Sequence, residues 1–96
     1  MPDIEVIMMP PFKRSYKKMH VNQKAAINEA IASIKRNPEA GEPKKGDLEG
    51  VYVYKFQCVN QLMLISYEYD PTTRVLLYVG VHENFYRDMK MTSGSR

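Results

Sequence analysis

Val51-Tyr52-Val53-Tyr54-Lys55-Phe56-Gln57-Cys58 decides the fold, because its side chains alternate with period two. Tyr52, Tyr54 and Phe56 fall on one face of such a strand and Val53 and Lys55 on the other. Asn60 marks a hairpin turn, and Leu62 to Tyr69 supplies the partner strand. Asp70-Pro71-Thr72-Thr73 has the residues of a second tight turn. Beyond it, Val75-Leu76-Leu77-Tyr78-Val79 reads as a buried strand that delivers His82 to the edge of the sheet. These three strands form an antiparallel meander.

Upstream, Asn37 to Gly50 holds two prolines, three glycines and six charged side chains, the composition of an exposed loop. Before it lie two helical patterns. Phe12, Tyr16 and Met19 share one face of the first, after Pro10-Pro11, whose fixed φ suits a first helical turn. Ile27, Ile31 and Ile34 repeat the spacing in the second, flanked by Ala26 and Ala30, with Asn22 as its N-cap and Pro38 at its end. About two residues around His20 and Val21 join them, which predicts an antiparallel helical hairpin whose alanines permit close approach. Ile4 to Met8 is a short N-terminal strand. The expected fold is α+β: N-terminal strand, helical hairpin, three-stranded antiparallel meander and a short C-terminal helix from about Glu83. A single domain covering residues 1–91 is expected, with a frayed polar tail over 92–96.

At 96 residues the chain has room for one core. It has no apolar run near the ~20 residues of a membrane helix and no signal-peptide pattern, so a cytoplasmic protein without a membrane partner is expected. Cys58 is the single cysteine and reads as a small buried hydrophobe. With only His20 and His82 beside it, no metal-ligand set is visible and no cofactor is expected. Charge is uneven. Lys13, Arg14, Lys17, Lys18, Lys24, Lys35, Arg36, Lys44 and Lys45 face only Glu29, Glu39 and Glu42 between residues 13 and 45. That surplus suits either a polyanion such as RNA or DNA, or a solvated helix face.

The Lys45-Gly46-Asp47-Leu48-Glu49-Gly50 stretch entering the central strands, and the His-x-x-x-Tyr pattern of His82 and Tyr86, resemble the RelE/ParE superfamily of bacterial type II toxins. The resemblance spans nearly the whole chain, and its site pattern is most similar to the YoeB/YafQ-like mRNA interferases. It implies a RelE/ParE-like fold and a toxin held inactive by a cognate antitoxin, with operator DNA reached only through that antitoxin. Two activities are implied by different branches: metal-independent cleavage of mRNA on the ribosome, or poisoning of DNA gyrase without nuclease chemistry. A weakly toxic member that acts mainly as an antitoxin-bound co-repressor is a third possibility.

RNA cleavage by a 2′-hydroxyl needs a base, positive charge for the transition state and an acid for the leaving 5′-oxygen. The resemblance gives His82 the role of acid, since histidine titrates near neutral pH, and Glu42 the role of base; a hydrogen-bonded structural histidine at a strand end is the other reading of His82, and a solvated loop carboxylate that of Glu42. Lys55 either contacts phosphate or pairs with an acid. Tyr86 completes the catalytic set that the resemblance implies, and either stacks on a base or hydrogen-bonds a phosphate, or else packs under the terminal helix. Arg87, Lys44, Lys45, Lys13 and Lys17 are candidate RNA contacts. Many RelE-like nucleases carry an arginine on the strand where this chain has Gln61, Leu62, Met63 and Leu64, so its cationic set is thinner. Arg74, beyond the next turn, is expected at the opposite end of the sheet.

Overall fold

The structure is a computed structural model that describes residues 3–58 and 60–82. A five-stranded mixed sheet carries two helices on one face. In chain order the elements are β1 (Glu5–Met8), α1 (Pro10–Lys17), α2 (Val21–Arg36), a 3₁₀ turn (Pro38–Ala40), β2 (Glu42–Pro43), a second 3₁₀ turn (Gly46–Leu48), β3 (Tyr52–Cys58), β4 (Gln61–Asp70) and β5 (Thr73–Val81). Strand order is β1-β5-β4-β3-β2. The antiparallel meander β3-β4-β5 is as expected, but the sheet is wider than three strands. β1 runs parallel to β5, pairing Val6 with Arg74 and Met8 with Leu76, while β2 adds antiparallel to β3. The expected C-terminal helix falls outside the described residues.

Both helices form where the spacing puts them, except that α1 ends at Lys17 and leaves Met19 in the bend beyond it, and their packing differs from a hairpin. Met9 precedes α1 in an extended conformation, and its carbonyl accepts from Lys13 N at 3.0 Å. Phe12 is fully buried, with Tyr16 stacked on it. The N-cap of α2 is His20 instead of Asn22; its amide donates to Gln23 Oε1 at 2.8 Å, tying the helix start to its own first turn. Each helix packs mainly on the sheet, α1 on β5 and α2 on β3. Ala26 and Ala30 therefore let α2 approach Tyr54 and Phe56 of the sheet, instead of serving a helix–helix seam. The two helices still touch at their sides, where the Tyr16 hydroxyl donates to Asn28 Oδ1 at 3.0 Å and Lys24 lies over the Tyr16 ring.

Alternation divides the sheet between two clusters. Ile65, Met63, Tyr67, Leu76 and Val79 join Phe12, Ile27 and Ile34 in the main core, while Val53 and Leu64 form a second cluster on the other face, under Leu48 and Tyr78. A β-bulge makes the first set possible. Ser66 pairs with Tyr78 and Tyr67 with Leu76, so Leu77 is an extra residue that shifts the parity of β5 and turns both Leu76 and Val79 inward.

Arg74 is 4% exposed and lies on the helix face. Its guanidinium donates to the carbonyls of Ile34 (3.3 Å) and Lys35 (3.2 Å) at the end of α2, and to those of Asp70 (2.7 Å) and Thr73 (3.1 Å). It caps carbonyls that a helix C-terminus leaves without partners.

Candidate functional site

The face of the sheet turned away from the helices holds the candidate site residues Glu42, Lys55 and His82. Its centre is apolar, with Val53 and Leu64 almost fully buried. Charged groups stand beside it at the β2–β3 edge. The register pairs Glu42 with Val53, which puts Glu42 on the same face as Lys55, one strand across and two residues on. Glu42 Oε1 lies 3.5 Å from Lys44 Nζ and 4.0 Å from Lys55 Nζ. Lys55 remains half-exposed and Glu42 is 60% exposed. Ion pairs this accessible contribute about 0–1 kcal/mol; they aim side chains more than they hold the fold.

Glu42 is thus not in a free loop, and the cause is a residue that periodicity does not distinguish. Tyr67, fully buried on β4, donates its hydroxyl to the Pro38 carbonyl at 2.5 Å and accepts from Gly41 N at 2.9 Å. Burial pushes its phenol above the ordinary tyrosine value, against the opposing effect of the Gly41 amide. This bond pulls the chain down to the helix layer at Gly41 and releases it to pair with β3 at Glu42. A Cβ on Gly41 would stand 2.9 Å from the Tyr67 ring, so the approach requires glycine. Tyr52 and Tyr69 pack against Tyr67, and Arg74 lies 5.6 Å from the Tyr69 ring centre. Gly46 (φ 70°) and Gly50 (φ 92°) shape the return into β3, where Lys44 N donates to Val51 O at 2.9 Å.

His82 closes the meander. Its amide donates to Leu62 O at 2.9 Å, and since Val79 and Val81 face the helices, alternation gives His82 the open face. It is exposed. Lys55 pairs with Leu64 and Leu64 with Gly80. His82 therefore stands two strands across and two residues along from Lys55, a Cα separation of ~12 Å at ordinary sheet spacings. The same count puts Glu42 at roughly 20 Å from His82. Glu42, Lys44 and Lys55 are brought together, Lys55 and His82 share a face, and Glu42 and His82 are held apart. Lys45 is exposed beside this group. Lys13 and Lys17 are exposed on α1, in the helix layer behind the sheet. Tyr86 and Arg87 lie outside the described residues. Ser66 and Tyr78 also belong to the open face, and only the register across the bulge reveals them.

Among the described residues no three of histidine, cysteine, aspartate and glutamate are grouped as a metal set. No helix among them is long and apolar enough to cross a membrane.

Comparison with known families supplies what the geometry alone does not. Residues 6–90 match the model for the ParE-like toxin of type II bacterial toxin-antitoxin systems. The chain belongs to this family. Among solved structures it is similar to the RelBE2 toxin-antitoxin complex from Mycobacterium tuberculosis, at 24% identity and TM-score 0.72, over 83% of this chain and 99% of that one. It is also similar to a double arginine-to-alanine mutant of Escherichia coli toxin RelE in the free state, at 9% identity and TM-score 0.71, over 93% and 92% of the two chains. A conserved hypothetical protein of Helicobacter pylori shares the fold at TM-score 0.57 and 17% identity, over 83% of this chain and 96% of that one. No curated protein sequence matches. The chain is thus a type II toxin with the RelE/ParE fold, for which a cognate antitoxin is the expected partner.

Proposed function

We propose that this toxin is a metal-independent endoribonuclease that cuts mRNA on the ribosome in the cytoplasm, with the open face of its sheet as the active surface. The observation that carries the reading is the presence of Lys55 and His82 on one accessible face, two strands apart, with Glu42 held against Lys55. A phosphodiester laid across this face meets a cation on one side and an imidazole on the other. The substrate 2′-oxygen attacks phosphorus and the bond to the 5′-oxygen breaks, leaving a 2′,3′-cyclic phosphate and a 5′-hydroxyl. Lys55 offsets the charge on the equatorial oxygens. His82, as imidazolium, protonates the departing 5′-oxygen. Glu42, too far from His82 to share an atom with it, takes the 2′-hydroxyl proton through one water beside Lys55. Lys44 and Lys45 contact flanking phosphates, and Tyr86 and Arg87, four and five residues after His82, contact a base and a phosphate.

Primer extension on a reporter transcript in a translating extract tests this. Cleavage by the wild type and its loss in Lys55→Ala and His82→Ala is the expected result. Growth arrest with intact transcripts would end the nuclease reading.

One observation favours a second reading, a gyrase poison without nuclease chemistry. The arginine that could enrich the site is spent: Arg74 points to the helix layer and caps α2, and among the described residues no arginine stands on the open sheet face. Inhibition of supercoiling with accumulation of cleaved DNA, using purified gyrase, would select this reading.

A further inference from the structure

Where α2 begins beside the β3–β4 hairpin, His20, Asn22, Gln23, Cys58, Asn60 and Gln61 line a pocket of about 220 Å³. It takes no part in the chemistry of the open face. Its walls carry four carboxamides and one imidazole, with no carboxylate, lysine or arginine among the described lining residues. Cys58 forms an almost buried floor, its thiol donating to the Asn22 carbonyl at 3.8 Å. One amide is locked and orients a second: Gln23 Oε1 accepts from His20 N at 2.8 Å, and Gln23 Nε2 donates to Gln61 Oε1 at 3.2 Å. The Gln61 amide nitrogen is left to donate elsewhere, and among the described residues no hydrogen bond engages the side chain of Asn22 or Asn60. Position ties this pocket to His82. Gln61 directly precedes Leu62, whose carbonyl accepts from His82 N. The Cα atoms of Gln61 and His82 therefore stand ~6 Å apart at ordinary strand spacing and rise. Gln61 lies opposite Cys58 on the helix face and His82 on the open face, at the same end of the sheet. The approach is cationic, since Lys17, Lys18 and Lys24 flank His20 in sequence and no acid occurs between Val6 and Asn28.

We infer that this pocket binds an adenine base of the RNA strand next to the scissile bond. A single strand with a phosphate at His82 reaches the pocket with a neighbouring base by turning around the end of β4. In RNA recognition an unstacked base is held against an aromatic plane and by hydrogen bonds to its exposed edges. His20 supplies the plane. Adenine presents a donor at N6 beside an acceptor at N1 or N7, the pair that one carboxamide matches in a bidentate contact, and Asn22, Asn60 and Gln61 supply the carboxamides. Guanine is held best by a cation at O6 and N7, and the pocket has none. Pyrimidines place less surface on the imidazole and leave the pocket partly filled. That the base belongs to the cleaved strand rests on the nuclease reading; that the pocket takes adenine does not.

Titration of the isotope-labelled 96-residue chain, followed by NMR through the side-chain amide signals of Asn22, Asn60 and Gln61, tests the site without reference to activity. An adenine-centred trideoxynucleotide has no 2′-hydroxyl and cannot be cut. It should shift these signals and bind at least fivefold more tightly than its thymine-, cytosine- or guanine-centred counterparts. Equal affinity for all four, or shifts confined to other residues, would overturn the proposal. Adenosine monophosphate that shifts the signals where the trinucleotide does not would give the pocket to a free nucleotide and overturn the RNA assignment. Mapping of cuts in a translating extract supplies the second readout. The excess of adenine beside the cut, taken as a ratio within each protein, should fall at least fivefold in Asn60→Ala and in Gln61→Leu. A ratio unchanged in both would overturn the proposal. Should transcripts stay intact while the adenine trinucleotide binds, the nuclease reading falls and adenine binding stands. Should cuts appear without an adenine excess and without signal shifts, the adenine site falls and the nuclease reading stands.

Discussion

The two faces of the sheet solve different problems with the same strands. On the helix face every large side chain has a partner: Tyr67 ties a turn, Arg74 caps a helix, and Phe12, Ile27 and Ile34 close over β4 and β5. On the open face Val53 and Leu64 are buried beneath Leu48 and Tyr78, with Ser66 buried beside them, and Glu42, Lys55 and His82 remain accessible around this centre. One face stores stability and the other leaves polar groups available for work. The division is made by single-residue parity along β3, and on β5 it survives only because the bulge at Leu77 restores it.

If that division is real, substitutions on the open face should change activity without changing stability. Lys55→Ala and His82→Ala are expected to lower transcript cleavage a hundredfold or more, the usual contribution of acid–base and electrostatic groups. Their unfolding free energies should stay within about 0.5 kcal/mol of the wild type, as for other surface changes. A drop in cleavage accompanied by partial unfolding in thermal melts would erase the distinction.

The helix face should show the reverse. Ile27→Ala is expected to cost about 2–5 kcal/mol, from lost burial and the cavity left behind, and urea titration measures it directly. Tyr67→Phe is subtler: removing one oxygen leaves Gly41 N and Pro38 O without their partner, a cost of about 1–3 kcal/mol. Because the same bond sets the start of β2, this variant should also loosen Glu42 and reduce cleavage. It is the one helix-face change expected to cross to the other side.

How much of this was legible in the sequence depended on the range of the interaction. Helix faces and strand alternation are local, so Phe12, Tyr16, Ile27 and the Tyr52, Tyr54 and Phe56 face could be read from spacing, and Lys55 could be placed opposite them. The parallel pairing of β1 with β5 joins segments almost seventy residues apart and leaves no mark on either alone. Tyr67 looked like any strand tyrosine, and Arg74 like a charge after a turn; each is defined by carbonyls or amides about thirty to forty residues away. The site was legible as residue types, but its convergence was not. Glu42 meets Lys55 only because Gly41 is held by Tyr67.

The smallest expected effect concerns the turn between β4 and β5. Asp70 Oδ1 accepts from Thr72 N at 2.9 Å, and this bond holds its carboxyl below the ordinary aspartate value. A lowered folded-state value means that the contribution is fully present above the unfolded aspartate pKa of about 3.9 and is lost as pH falls through the lowered one. Asp70→Asn keeps an acceptor oxygen but not the titration, so its acid-unfolding curve should be shallower in that range while its stability at neutral pH is little changed. Identical acid limbs would remove Asp70 from the account.

The central claim, that the open face cuts RNA with the substrate's own 2′-hydroxyl, is tested most directly by the ends it leaves. Transcripts recovered from a translating extract treated with the toxin should carry 5′-hydroxyl ends at the cut, which a polynucleotide kinase labels without prior phosphatase treatment. Intact transcripts, or 5′-phosphate ends that label only after phosphatase, would contradict it.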